Sequence, residues 1–224
     1  MKPLTKLAET ILPSGTSLEL WERDNSYFLL ADGIQMASSF SHGGDDAIAT
    51  IAAAPIKRAN QPTILIDGLG LGFLLKGAME QINKEKANFI VAEPCSDLVE
   101  WHEKLLGNLH PGMLHDPRVT IESHSALQVA RKTSKAYHAI LMRSTHSRNQ
   151  LTIAEATDYN AALKQGGMLV ILLSRPDKRL ERTLQKAGFD VSFDTVPTSH
   201  KGKQTSFQTV VLARKGRFVP FSQR

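Results

Sequence analysis

The chain has 224 residues, 42% of them hydrophobic, a formal charge of +5 and a single cysteine. Such a length and composition suit one packed domain with a small appendage, and they exclude a disordered chain or a disulfide framework. No stretch approaches the roughly 18 apolar residues that span a bilayer, and the N-terminal MKPLTKLAETILPSG has no apolar leader core, so a soluble cytoplasmic protein with no membrane partner is expected.

Lone Cys95 fits a reducing compartment and reads as a small buried hydrophobe. The basic residues are dispersed, apart from a denser tail at HKGKQ and ARKGRF, which argues against nucleic acid as a specific partner. The eight histidines are scattered without zinc-ligand spacing, so no metal is assigned, and His102 is expected at the surface of a helix.

The first segments alternate rather than follow a helical period. SLELWE (17–22), YFLLA (27–31) and IQMAS (34–38), with turns at Asp24-Asn25 and Asp32-Gly33, predict a small β-hairpin or meander ending near residue 40. SHGGDD then leads into AIATIAAAP, a short helix with Asp45 or Asp46 near its start and Pro55 beyond its end. A division follows, with a small N-terminal β-hairpin region and linking helix over 1–55 and a nucleotide-binding domain over 56–224.

From Thr63 the pattern becomes α/β. Strand-like runs at TILID (63–67), FIVAE (89–93), VTIES (119–123), AILMR (139–143) and MLVILL (168–173) alternate with helical stretches, which predicts a mainly parallel sheet. After the helical DKRLERTLQKAG, the runs FDVSFDTV (189–196) and SFQTVVLAR (206–214) predict an antiparallel pair at the sheet edge, for seven strands in all.

The segment ILIDGLGLGFLLKGA places Gly68, Gly70 and Gly72 between a strand and a helix. Missing side chains there permit a tight turn and close approach of backbone to ligand, although the spacing is not the complete G-x-G-x-x-G fingerprint. Glu93 ends the next strand, about where a carboxylate accepts from ribose hydroxyls in nucleoside-binding α/β folds. Together they predict an adenosine-type ligand, with Asp67 placed to face the same pocket. Trp21 and Trp101 read as packing residues.

YFLLADGIQMASS, ILIDGLGLGFLLKGA, FIVAEPCSDLVEWHEKLL, DPRVTI, YHAILMRST and QGGMLVI, collinear from about residue 17 to about residue 174, resemble the spermidine synthase-like group of aminopropyltransferase homologues. The resemblance implies a Rossmann-like, class I S-adenosylmethionine-dependent methyltransferase fold behind a small N-terminal β-domain. It also implies a ligand of the type of S-adenosylmethionine or its decarboxylated form, held by Gly68, Gly70, Gly72 and Glu93, and dimers are common in that group.

The family pattern places an aspartate inside the glycine loop, where this chain has Leu71, and another after the third strand near the adenine, where it has Ser125. Its catalytic Asp-Ser-Thr-Asp reads Arg143-Ser144-Thr145-His146 here, and its Tyr-His-Glu diamine contacts align with Ile48, Ala49 and Thr50. A guanidinium cannot serve as a base near neutral pH and repels a diamine, so ordinary spermidine synthesis is not expected. Arg143 is also suited to pair with the carboxylate of intact S-adenosylmethionine.

Among the remaining polar groups, His42 is a candidate proton acceptor, Asp45 or Asp46 a candidate amine holder, and His146 a candidate pocket residue. A glycine turn with helix-capping aspartates also accounts for Ser41 to Asp46 and is the simpler reading. A small-molecule methyltransferase and a non-catalytic binding protein stand as the alternatives, and the acceptor is not specified by the sequence.

Overall fold

A computed structural model describes residues 3–144, 151–198 and 206–216. The N-terminal unit is a four-stranded antiparallel sheet, β1 (Thr5–Ile11), β2 (Ser17–Arg23), β3 (Ser26–Ala31) and β4 (Ile34–Ser38), paired in that order. Asp24 and Asn25 (φ 51° and 62°) turn β2 into β3, and Asp32 and Gly33 (φ 49° and 75°) turn β3 into β4. Positive φ at both central residues matches the right-handed twist of the paired strands.

β1 is a strand the sequence did not announce. Its side chains are mostly exposed, with Leu7 and Ile11 on the surface, so no buried face imposes a clear alternation. The Thr10 hydroxyl at its end donates to Asp97, joining the small sheet to the next unit.

α1 (Gly43–Ile56) starts where expected but runs through Pro55 instead of ending before it. In the last turn a proline removes one intrahelical bond and leaves the preceding turns intact. His42, not an aspartate, occupies the N-cap position, without a side-chain cap. α1 packs on α2 and on the strands of the large sheet.

That sheet contains β5 (Thr63–Asp67), β6 (Asn88–Ala92), β7 (Val119–Glu122), β8 (Tyr137–Ser144), β9 (Leu163–Leu173), β10 (Phe189–Pro197) and β11 (Phe207–Lys215), in the spatial order β10-β11-β9-β8-β5-β6-β7. β5 to β9 are parallel, while β11 lies antiparallel between β9 and β10. The crossovers are α2 (Phe73–Gln81), α3 (Ser96–Lys104), α4 (Ala126–Arg131) and α5 (Ile153–Ala162), and α6 (Lys178–Lys186) leads to β10.

Alternate strand residues supply two cores. Ile64, Ile66, Phe89 and Val91 pack with α1, α2 and α3 on one face, whereas Leu65, Ile140, Leu169 and Ile171 pack with α4, α5 and α6 on the other. Being buried on both faces, the central strands read as continuous apolar runs. No helix among the described residues is long and apolar enough to cross a membrane.

Candidate functional site

The order of strands reverses beside β5, which pairs with β6 on one side and β8 on the other. In open parallel sheets a crevice forms outside the carboxyl ends of the strands at that reversal. Asp67 ends β5, Glu93 follows β6, Ser125 follows β7, and Arg143 lies near the end of β8. Four site residues from separate segments thus meet at one edge.

Gly68, Gly70 and Gly72 all have positive φ, at 82°, 53° and 84°. Gly72 is constrained twice, since a Cβ there would lie 2.7 Å from both His110 Cδ2 and Met113 Cε. Below this loop is a cavity of about 240 Å³, lined by the loop, Asp67, Glu93, Cys95, Asp45 and Arg143 among others.

Glu93 ties the loop to β6. Its Oε2 accepts from Leu69 N and its Oε1 from Cys95 N, both at 2.9 Å. Burial raises the carboxyl's pKa, and the two amide donors act in the opposite direction. A carboxylate oxygen has more than one acceptor position, so each can still receive a hydroxyl from the cavity. Cys95 is buried, which pushes its thiol up, consistent with a packing role.

Asp67 borders both this cavity and a neighbouring one of about 380 Å³, which Ser125, Arg143 and Tyr159 also line. Burial, then the Glu93 charge, raises Asp67 to about 6, while the Ala126 amide opposes the shift. Ser125 is the N-cap of α4 and forms a reciprocal capping box with Gln128.

Leu71 is buried and lines the first cavity. Arg143 is not a free guanidinium: Nη1 donates to Asp45 Oδ2 at 2.7 Å and Nη2 to Met36 O at 3.2 Å. Asp45 is therefore drawn into an ion pair instead of capping α1, and it is only 3% exposed. Burial pushes its carboxyl up and the Arg143 charge pulls it down.

Across from this pair, His42 Nδ1 lies 2.8 Å from Asp46 Oδ2, and the imidazole stacks on Phe73 at 3.9 Å between ring centroids. A polar cavity of about 180 Å³ is lined by His42, Asp45 and Arg143 together with Gln35, Ser41 and Gln208. Asp45 and Arg143 belong to its wall and to that of the cavity below the glycine loop.

Two further histidines hold the glycine loop from outside these cavities, which the sequence does not predict. His102 is buried, contrary to its expected surface position, and its Nε2 donates to Gly70 O at 2.8 Å. His110 Nε2 donates to Leu71 O at 3.0 Å, and its ring meets Phe73 edge-on. Both contacts join residues more than thirty positions apart, so no local pattern announces them. Trp101 packs in the core. His138 is at the opposite end of β8, where Nδ1 accepts from Thr63 N at 3.0 Å. His146 lies outside the described residues.

Comparison of the whole architecture with solved structures places these features in a known fold. The spermidine synthase from Thermotoga maritima superimposes with a TM-score of 0.76 at 18% identity, covering 95% of this chain and 73% of that one. A spermidine synthase in complex with the transition-state analogue AdoDATO gives 0.74 at 17% identity, with the same coverage of 95% and 73%. The fold is that of the spermidine synthases. A probable spermidine synthase from Corynebacterium glutamicum ATCC 13032 gives a TM-score of 0.65 at 14% identity, over 98% of this chain and 82% of that one. No protein-family model matches the sequence, and no curated protein matches it. The spermidine synthase-like fold thus accounts for the small antiparallel sheet as well as for the seven-stranded one.

Proposed function

We propose that the chain is an aminopropyltransferase-like protein that binds S-adenosylmethionine or its decarboxylated form below the glycine loop, with an acceptor site diverged from that of spermidine synthases. The observation that carries this reading is Glu93, whose carboxylate is held against Leu69 N at 2.9 Å while lining the cavity under Gly68 to Gly72. Its remaining acceptor positions suit two ribose hydroxyls, and Asp67 and Ser125 border the adjoining space for the base. A neighbour in fold that holds the analogue AdoDATO lends support to this placement.

Aminopropyl transfer requires the acceptor's nucleophilic atom to attack carbon beside the sulfonium, the carbon–sulfur bond to break, and that atom to lose a proton. Arg143 occupies the position of the family's catalytic aspartate and cannot take that proton. His42, oriented through Nδ1 by Asp46, is the proposed proton acceptor, approaching from the polar cavity.

A second reading is favoured by the Asp45–Arg143 pair itself, which leaves no unpaired carboxylate at that position. Methyl transfer to a nucleophile that needs no deprotonation requires alignment with the sulfonium and no such carboxylate. Calorimetry with S-adenosylmethionine, decarboxylated S-adenosylmethionine and methylthioadenosine tests the nucleoside site, and silence from all three would refute it. Product analysis then separates the chemistries: methylthioadenosine marks aminopropyl transfer, S-adenosylhomocysteine marks methyl transfer, and neither marks a binding protein.

A further inference from the structure

The two oxygens of Asp45 have unlike surroundings. Oδ2 accepts from Arg143 Nη1 at 2.7 Å, whereas Oδ1, though buried, has no partner among the described residues. Buried polar atoms in natural interiors are nearly always hydrogen-bonded, to protein, water or a ligand. The residue is 3% exposed and belongs to the walls of both the loop cavity and the polar cavity. Asp45 thus stands between the two spaces with one buried acceptor unsatisfied among the described residues.

Within the polar cavity the charges of Asp45 and Arg143 balance each other. Arg143 supplies one positive charge to Asp45, and its second nitrogen donates to Met36 O at 3.2 Å, which fixes the guanidinium against β4. Beyond the pair, the polar cavity is lined by uncharged groups such as Gln35, Ser38, Thr198 and Gln208, with His42 as the other titratable member, held to Asp46. An arriving cation meets Arg143 at short range without a free carboxylate to offset it. An arriving anion meets Asp45 in the same way. A neutral group that donates one hydrogen bond satisfies Oδ1 and disturbs neither partner.

We propose that the polar cavity takes a small, net-uncharged molecule bearing a hydrogen-bond donor, such as an alcohol or amide, which Asp45 Oδ1 recognises while Arg143 excludes polycationic amines. This deepens the nucleoside reading by naming the class of the second ligand, and it rests on that reading only for what fills the neighbouring cavity. Asp45 and Arg143 are specificity-determining residues here, acting through charge balance.

Three four-carbon probes of nearly equal shape test it: 1,4-butanediol, 1,4-diaminobutane and 4-hydroxybutyrate, titrated by ligand-observed NMR with and without saturating methylthioadenosine. The wild-type chain should bind the diol about tenfold or more tightly than either ion, a difference equivalent to about 1.4 kcal/mol. Arg143→Gln leaves Asp45 unbalanced and should make the diamine the preferred probe. Asp45→Asn leaves Arg143 unbalanced and should make 4-hydroxybutyrate preferred, so one folded variant is sufficient for the comparison.

Wild-type preference for the diamine, the same order of probes in wild type and a folded variant, or no binding of any probe to the wild type overturns the proposal. Failure of the nucleoside reading has a different signature. Methylthioadenosine would not bind, yet the three preferences would still follow the charge left by each variant.

Discussion

Arg143 Nη1 lies 2.7 Å from Asp45 Oδ2 and so joins β8 to α1 across 98 residues of sequence. The Asp45 side chain is 4% exposed and that of Arg143 27%. Removing one partner leaves a buried charge uncompensated, so Arg143→Gln should lose about 3 kcal/mol, the lower end of the range for buried pairs because Arg143 is partly exposed. The loss should be larger at pH 8 than at pH 5, since the unpaired carboxyl escapes its penalty by protonating. Urea denaturation of Arg143→Gln and of Asp45→Asn/Arg143→Gln checks this, with the double variant regaining stability; equal loss in both would show that the pair's charge is not the cause.

Gly72→Ala should destabilise the loop by about 2 kcal/mol or more. The residue has φ 84°, and its new Cβ would lie 2.7 Å from His110 Cδ2 and Met113 Cε. Left-handed strain and overpacking each contribute about 1–2 kcal/mol at such a site. Thermal unfolding should show the drop, and an unchanged midpoint would mean that both neighbours yield freely.

Glu93→Gln replaces an acceptor oxygen with a donor group beside Leu69 N or Cys95 N, each of which now lies 2.9 Å from a carboxylate oxygen. On the proposed reading it also removes charged acceptors for the ribose. Nucleoside affinity should fall about tenfold or more, matching a charge-assisted hydrogen bond of about 1.5–3 kcal/mol. Calorimetry on the folded variant gives the answer; affinity equal to wild type would restrict Glu93 to holding the loop.

His110 should make stability fall as the medium is acidified. Burial and then the Lys76 charge push its pKa down to about 4, against about 6.5 for an unperturbed histidine. The unfolded chain binds the additional proton between these values, so this contribution is complete above about pH 6.5 and is lost as pH falls toward 4. Asp67 works in the other direction: raised to about 6, it favours folding most below its unfolded pKa and loses that contribution as pH rises through 6. Comparison with His110→Asn separates the two. The wild-type advantage over the variant should be about 2 kcal/mol greater at pH 7 than at pH 5, and parallel stability profiles would contradict the assignment.

Much of the fold was legible because its signals are local. The apolar runs at Ile64 to Ile66 and Leu169 to Leu173 mark doubly covered strands, and Asp24-Asn25 and Asp32-Gly33 mark hairpin turns at the observed places. β1 escaped notice because its exposed side chains impose no alternation. The three glycines and Glu93, legible from their places at strand ends, line one cavity. His102 and His110 were not legible, since their bonds to Gly70 O and Leu71 O depend on how α3 and the segment after it fold back on the loop.

The alternation of strands and helices, the small antiparallel unit before it, and the glycine loop near Glu93 are all readable from local sequence. Each follows from side-chain period, turn chemistry or position at a strand end, all properties of short stretches of backbone. The role of Arg143 emerges from packing in three dimensions. Read alone, Arg143 is a cation with no evident partner, but the packing of α1 against the sheet brings Asp45 to it and balances the charge. Electrostatic character depends on distance in space, and the residues that set it here are 98 positions apart in the chain.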